Sequence, residues 1–185
     1  VTKGYHFPEL TLVGVVDADL GLAGGDLRAA ERTFQQIQQV AGRAGRGVLP
    51  GCVLLQTHQP EAPVIRALVE GDRDGFYAEE TESRRRHAMP PVGRLACIIP
   101  SAQDQGDVTR AARAIAAAQP VVEGVTILGP APAPLAILRG RHRMRFLVHA
   151  RRAIDVQAVI RAWLSDLDLP RGVRVAVDVD PYSFV

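Results

Sequence analysis

Apolar residues along this chain are spaced first as unbroken runs, then at helical periods, then in alternation, and each change of spacing predicts an element. Residues 11 to 17, Thr-Leu-Val-Gly-Val-Val-Asp, form a short apolar run closed by an acid. That is the pattern of a strand buried on both faces whose carboxyl end reaches a site. From Asp26 the spacing becomes helical, with Leu27, Ala30, Phe34, Ile37 and Ala41 at intervals of three and four. Asp26 stands where a cap is wanted, and Gly42, Gly45 and Gly47 end the pattern, so a helix of about four turns is expected. Gly51 to Thr57 is a second buried strand, and the β-α-β order implies a right-handed crossover in a mostly parallel sheet.

Helices are expected at Ala62 to Glu70 and Gly75 to His87, the second strongly charged, with Arg84, Arg85, Arg86 and His87 as its exposed, dipole-favoured end. Neither Pro90 nor Pro91 can continue a helix, which places a domain boundary there and divides the chain into 1–91 and 92–185. Beyond it the pattern predicts a strand at Arg94 to Ile99 and a helix capped by Asp107 and carrying Val108, Ala111, Ala112 and Ile115. A strand at Val125 to Leu128 and a strand pair over 135 to 149 follow. A helix over 153 to 167, with Trp163 in its core stripe, and an alternating strand from Val173 to Val179 complete the pattern. The fold class expected is therefore α/β followed by a small α+β sandwich with helices on one face of its sheet.

With 185 residues, the chain has room for one ordinary domain or two small ones. Its 47% apolar and 23% charged content is that of a globular protein, which excludes disorder and collagen-like repetition for the bulk of it. The longest apolar stretches, Leu10 to Val16 and Val121 to Leu128, fall far short of the ~18 residues a membrane-spanning helix needs. Cys52 and Cys97 sit in apolar runs without metal-ligand spacing, so no metal site is read from them, and both are expected as buried thiols of a cytoplasmic protein. Val1 to Tyr5 lacks the basic start and apolar middle of a signal peptide.

Charge changes the picture through its kind and its clustering. The net charge is only +2, yet Lys3 is the single lysine among 22 basic residues. Arginine offers flat, bidentate donors that grip phosphate oxygens. In Gln39-Val-Ala-Gly-Arg-Ala-Gly-Arg46, two arginines three apart follow a helix, and glycines let the backbone approach another surface closely. Guanidinium groups so placed can neutralise a phosphoryl group whose charge grows during transfer, although arginines at a helix end also complement its dipole. In Arg139-Gly-Arg-His-Arg-Met-Arg145, the two-residue period of a strand puts Arg141, Arg143 and Arg145 on one face, with Met144, Phe146 and Val148 on the core side. Such a row attracts nucleic-acid phosphate, unless Asp178 and Asp180 of a neighbouring strand balance it. Few aromatics accompany it, so neither base stacking nor sequence-specific readout is indicated.

Gln39 to Arg46 resembles motif VI of superfamily 2 helicases, and Thr2-Lys-Gly-Tyr-His-Phe-Pro-Glu-Leu with the following Val-Val-Asp-Ala-Asp resembles their motif V. Glu-Arg-Thr-Phe-Gln-Gln between them, Leu-Gln-Thr-His-Gln-Pro after them, Leu-Gly-Pro-Ala-Pro-Ala at 128 to 133 and Asp-Val-Asp-Pro at 178 to 181 resemble one family over the whole chain. That family is PriA, the bacterial replication-restart helicases also called primosomal protein N-prime. The resemblance implies the carboxyl-terminal part of a 3′ to 5′ DNA helicase, starting within its second RecA-like lobe. It makes Arg43 and Arg46 the γ-phosphate sensors and arginine finger, with Gln39 coupling nucleotide to nucleic acid. Lys3 and Gly4 fall in the motif that links the DNA backbone to the nucleotide site, supported by Asp17 or Asp19, and His6 lies in the same segment.

ATP and magnesium are implied for the full-length protein, and zinc as well. However, the Walker loop, the acidic box and the paired cysteines of the family do not occur in this chain. The implied partners are forked DNA or single-strand/duplex junctions, other primosome proteins and the acidic tail of single-stranded DNA-binding protein. Arg151, Arg152 and Gln157, beside Ile154 and Val156 at a helix start, suit such a tail. Two readings stay open: a helicase part that hydrolyses no ATP in isolation, and a stand-alone module that grips nucleic acid or protein without catalysis.

Overall fold

The helical spacing after Asp26 becomes α1 (Ala29–Ala41), whose buried Thr33, Phe34 and Ile37 face inward from consecutive turns. It belongs to a computed structural model that describes residues 9–22, 26–45 and 48–181. Asp26 does not cap α1. Its carboxylate accepts from the Arg28 N–H at 3.0 Å and from Arg32 Nη1 at 2.8 Å, which holds the turn before the helix, so the first helical residue comes later than expected. The end does fall at Gly42, whose N–H returns to the Gln38 carbonyl at 2.9 Å.

Strands β1 (Leu12–Val15) and β2 (Cys52–Leu55) flank α1 in sequence and pair in parallel, Leu12 with Cys52 through Val15 with Leu55. The expectation that both are buried on two faces fails. Val15 and Leu55 pack toward a core, whereas Leu12 and Leu54 on the opposite face are 55% and 59% exposed. Side chains alternate across a strand, and among the described residues only one face of this pair is covered. Cys52 shares the open face and is exposed, also against expectation; Cys97 is buried.

The covering core contains Ala18, Phe34 and Ile37 with Val64, Ile65 and Ala67 of α2 (Pro63–Glu70) and Phe76 of α3 (Arg73–Arg86). Phe34 and Phe76 stack at 4.5 Å between centroids. Pro63 opens α2, where its missing N–H costs nothing, and Gly71 closes it at φ 70, the left-handed region that glycine enters without strain. The chain falls into two compact units, up to Glu80 and from Thr81 onward; the expected boundary at Pro90 and Pro91 lies inside the second.

In the second unit, β3 (Gly93–Ala102), β4 (Val125–Leu138), β5 (Arg141–Arg151) and β6 (Arg174–Val179) form one antiparallel sheet in the order β4-β5-β3-β6. With α4 (Gln105–Ala117) after β3 and α5 (Val156–Leu164) after β5, this is the split β-α-β arrangement of ferredoxin-like domains. The strand expected at 125 to 128 and the first half of the expected pair are one strand. β4 runs on through the Gly-Pro-Ala-Pro segment with register shifts between Leu128 and Ala131 and between Pro132 and Ile137. Arg139 and Gly140, at φ 51 and 71, make the two-residue turn into β5.

One sheet face, with Ala96, Ile98, Phe146, Val148 and Ala150, buries Ala112 and Ile115 of α4 and Val156, Ile160 and Trp163 of α5. Trp163 sits edge-on to Phe146 and donates from Nε1 to the Ile115 carbonyl at 2.9 Å, as a buried indole must. Asp104 and not Asp107 caps α4, accepting from the Asp107 N–H at 2.8 Å, and Asp155 caps α5 through the Ala158 N–H at 2.9 Å. Arg84 is buried rather than exposed. Its Nη1 donates to the Pro90 carbonyl at 3.2 Å, while Arg152 donates to Pro91 at 2.7 Å and the His149 ring nitrogen Nε2 lies 2.8 Å from the Ala88 carbonyl. Three side chains thus hold the segment that leads into β3.

Candidate nucleic-acid interface

In the first unit, Lys3, Gly4, His6 and Arg46 lie outside the described residues. Gln39 is exposed on α1, and Arg43 follows in the turn beyond it, half-buried, with its N–H on the Val40 carbonyl at 3.1 Å. Asp17 and Asp19 occupy the loop after β1. The Asp17 carboxylate accepts from the N–H groups of Asp19 and Leu20 at 2.9 and 3.0 Å, a self-bonded turn typical of aspartate. Asp19 reaches across to the end of β2, where the Thr57 hydroxyl and the His58 N–H both donate to it at 2.6 Å. These bonds, the hydroxyl first, hold the Asp19 carboxyl below its usual range. Sequence reasoning misses Thr57 and His58, because nothing in Leu-Gln-Thr-His announces a partner so far upstream. The join lies at the carboxyl ends of two parallel strands, where open α/β sheets receive ligands.

The second unit carries the arginine row on the sheet face opposite α4 and α5. Register places Arg143 beside Ser101, Arg145 beside Ala131 and Arg141 beside Leu138, while Phe146 and Val148 point into the core as the two-residue period requires. Arg141 is fixed by donation to the carbonyls of Ser101 and Gly172 at 2.8 and 2.9 Å. The Arg143 side chain has one long bond, to the Leu135 carbonyl at 3.4 Å, and the Arg145 side chain makes no hydrogen bond among the described residues. Arg139 is exposed at the turn.

The acids that were candidates to balance the row behave differently from one another. Asp180 is taken by Arg94 at 2.7 Å. Asp178 shares the arginine face, next to Cys97, yet among the described residues no carboxylate pairs with Arg141, Arg143 or Arg145. The Cys97 thiol records this field: burial pushes it up, Arg145 and Arg143 pull it down, and Asp178 pushes it up. Like charges two residues apart on a strand, about 6.6 to 6.8 Å, repel one another and favour an anion beside them.

The residues expected to meet an acidic tail lie where β5 ends and α5 begins. Arg151 lies 3.9 Å from Glu123, Arg152 holds Pro91, and Gln157 is exposed in the first turn of α5. Of the first N–H groups of that helix, that of Ala158 donates to the Asp155 carboxylate at 2.9 Å. Among the described residues, no group of three or more His, Cys, Asp or Glu is placed to hold a metal ion, and no helix is long and apolar enough to cross a membrane. With Cys52 exposed, Cys97 buried and no Walker loop in the chain, the residues present do not by themselves fit zinc or ATP with magnesium.

The second unit is thus a split β-α-β domain with a basic outer sheet face. The family model described as the Primosomal protein N C-terminal domain matches residues 85–182. Replication restart protein PriA of Rickettsia felis is 44% identical over 184 residues, covering 100% of this chain and 28% of that protein. The PriA of Treponema pallidum is 41% identical over 99% of the chain and 28% of its own length, and that of Bacillus subtilis 33% identical over 100% and 24%. The chain belongs to the PriA family and corresponds to the carboxyl-terminal part of its members, spanning about a quarter of the length of these relatives.

Proposed function

We propose that this chain is the DNA-gripping end of a replication-restart helicase, with the outer sheet face of the second unit as its contact to the nucleic-acid backbone. The observation that carries the reading is the row Arg141, Arg143 and Arg145, which shares one face and makes no ion pair among the described residues. Arg143 and Arg145, without a carboxylate partner, retain most of their donors for phosphate and Arg141 retains Nη1, while the scarcity of aromatics in the row favours backbone contact over base readout. The full-length protein acts, on this reading, as an ATP-dependent DNA helicase of the cytoplasm that reopens stalled forks and recruits primosome proteins. Its second RecA-like lobe contains β1, α1 and β2. Arg43 and Arg46 then act as phosphate-sensing arginines, with Gln39, Lys3, Gly4, Asp17 and Asp19 coupling that site to DNA.

The test is binding of a labelled single-stranded oligonucleotide by the chain as a function of salt. Replacing Arg141, Arg143 and Arg145 by serine is expected to weaken binding at every sequence and lower the slope of log K against log salt by about 0.7 for each phosphate that is no longer neutralised. An unchanged slope in the triple variant rejects the face as the contact.

A further inference from the structure

The basic row on β5 does not stop at the strand. Ser101 of β3 pairs with Arg143 on one side and with Arg174 of β6 on the other, so the two arginines lie on the same face in one rung across the sheet. With neighbouring strands about 4.8 Å apart, their Cα atoms are separated by about 10 Å. Arg174 also lines a cleft of about 510 Å³ at this end of the sheet, together with Arg141, Arg171, Gly172, Asp104 and Asp107. Both acids there have internal partners: Asp104 accepts from the Asp107 N–H, and Asp107 pairs with Arg110. Arg171 and Arg174 are exposed and make no ion pair among the described residues. Arg141 bonds the Ser101 and Gly172 carbonyls and so ties the loop bearing Arg171 to the sheet, which shapes the cleft before any ligand arrives. The lining is mostly charged and polar, unlike the largely apolar walls of small-molecule pockets.

We infer that the path for nucleic acid turns at Arg143, crosses the sheet end to Arg174, and places a backbone phosphate in the cleft between Arg141, Arg171 and Arg174. This rests on the reading of the outer face as the DNA contact and extends it to two arginines on a different strand and loop. A strand following that path bends away from the β5 direction, so a chain end or a sharply turned backbone fits better than a straight duplex.

The experiment measures the salt dependence of binding of the whole chain to a single-stranded oligonucleotide, with Arg171→Ser plus Arg174→Ser, Arg171→Lys plus Arg174→Lys, and Arg143→Ser plus Arg145→Ser. The first pair is expected to lower the slope by about 0.7, the single-strand value for the one phosphate held in the cleft, and the lysine pair to retain most of it, because lysine keeps the charge. Both cleft positions are exposed, so neither pair removes core packing. If the Arg171 and Arg174 serine pair keeps the native slope while the Arg143 and Arg145 pair lowers it, the cleft inference is overturned and the face reading stands. If neither pair changes the slope, both fall.

Discussion

Asp19 joins loops that are 38 residues apart in sequence, and its charge state controls the join. Thr57 and His58 stabilise the ionised carboxylate, so its folded value lies below the ordinary aspartate value of 3.8 that serves for the unfolded chain. This contribution to stability is complete above that unfolded value and is lost as pH falls through the lowered folded one. Thermal melts of the chain between about pH 5 and 2.5 are expected to show this acid loss, and Asp19→Asn is expected to flatten it. Equal pH dependence in the two proteins contradicts the join. Arg43 belongs to the same scale. In the full-length protein, Arg43→Ala or Arg46→Ala should lower ATP turnover by about 10³-fold while DNA affinity is kept, since such guanidinium groups act mainly on the transition state. Steady-state turnover alongside a binding isotherm checks this; a parallel loss of both points to a collapsed lobe.

At the scale of elements, the helix caps separate two aspartates that look alike in sequence. Asp104 accepts the capping bond of α4 and Asp107 stands inside the first turn, so Asp104→Ala should cost about 1 kcal/mol and Asp107→Ala only a few tenths. Urea denaturation resolves the order, and the reverse order contradicts the cap. The same pair shows why some features are legible in the sequence and others are not. Apolar periodicity locates the body of α4, α5 and β5, because burial against one sheet face imposes it directly. It does not choose between Asp104 and Asp107, since either acid precedes the periodic run. It splits β4 in two because prolines interrupt the ladder, whereas the strand absorbs them through register shifts. The alternation of arginines on β5 is legible for the same reason as its core side, but the rung that adds Arg174 depends on strand order, which periodicity does not contain.

Across the whole molecule, the two units differ in how completely their sheets are covered. The four-stranded sheet has α4 and α5 on one face and arginines on the other, whereas the β1 and β2 pair leaves Leu12 and Leu54 exposed on a shared face. An open apolar strand pair is a template for association. Sedimentation of the chain is expected to show concentration-dependent self-association, removed by Leu12→Lys with Leu54→Lys; a monomer at all concentrations contradicts it. The central claim, that nucleic acid is held on the outer face of the second unit, is tested most directly by mapping backbone amide shifts of that lysine variant as a single-stranded oligonucleotide is added. The account predicts that perturbations gather on Cys97, Ser101, Arg143, Arg145 and Leu147. Shifts confined to α5 and residues 151–157, with that face silent, contradict it.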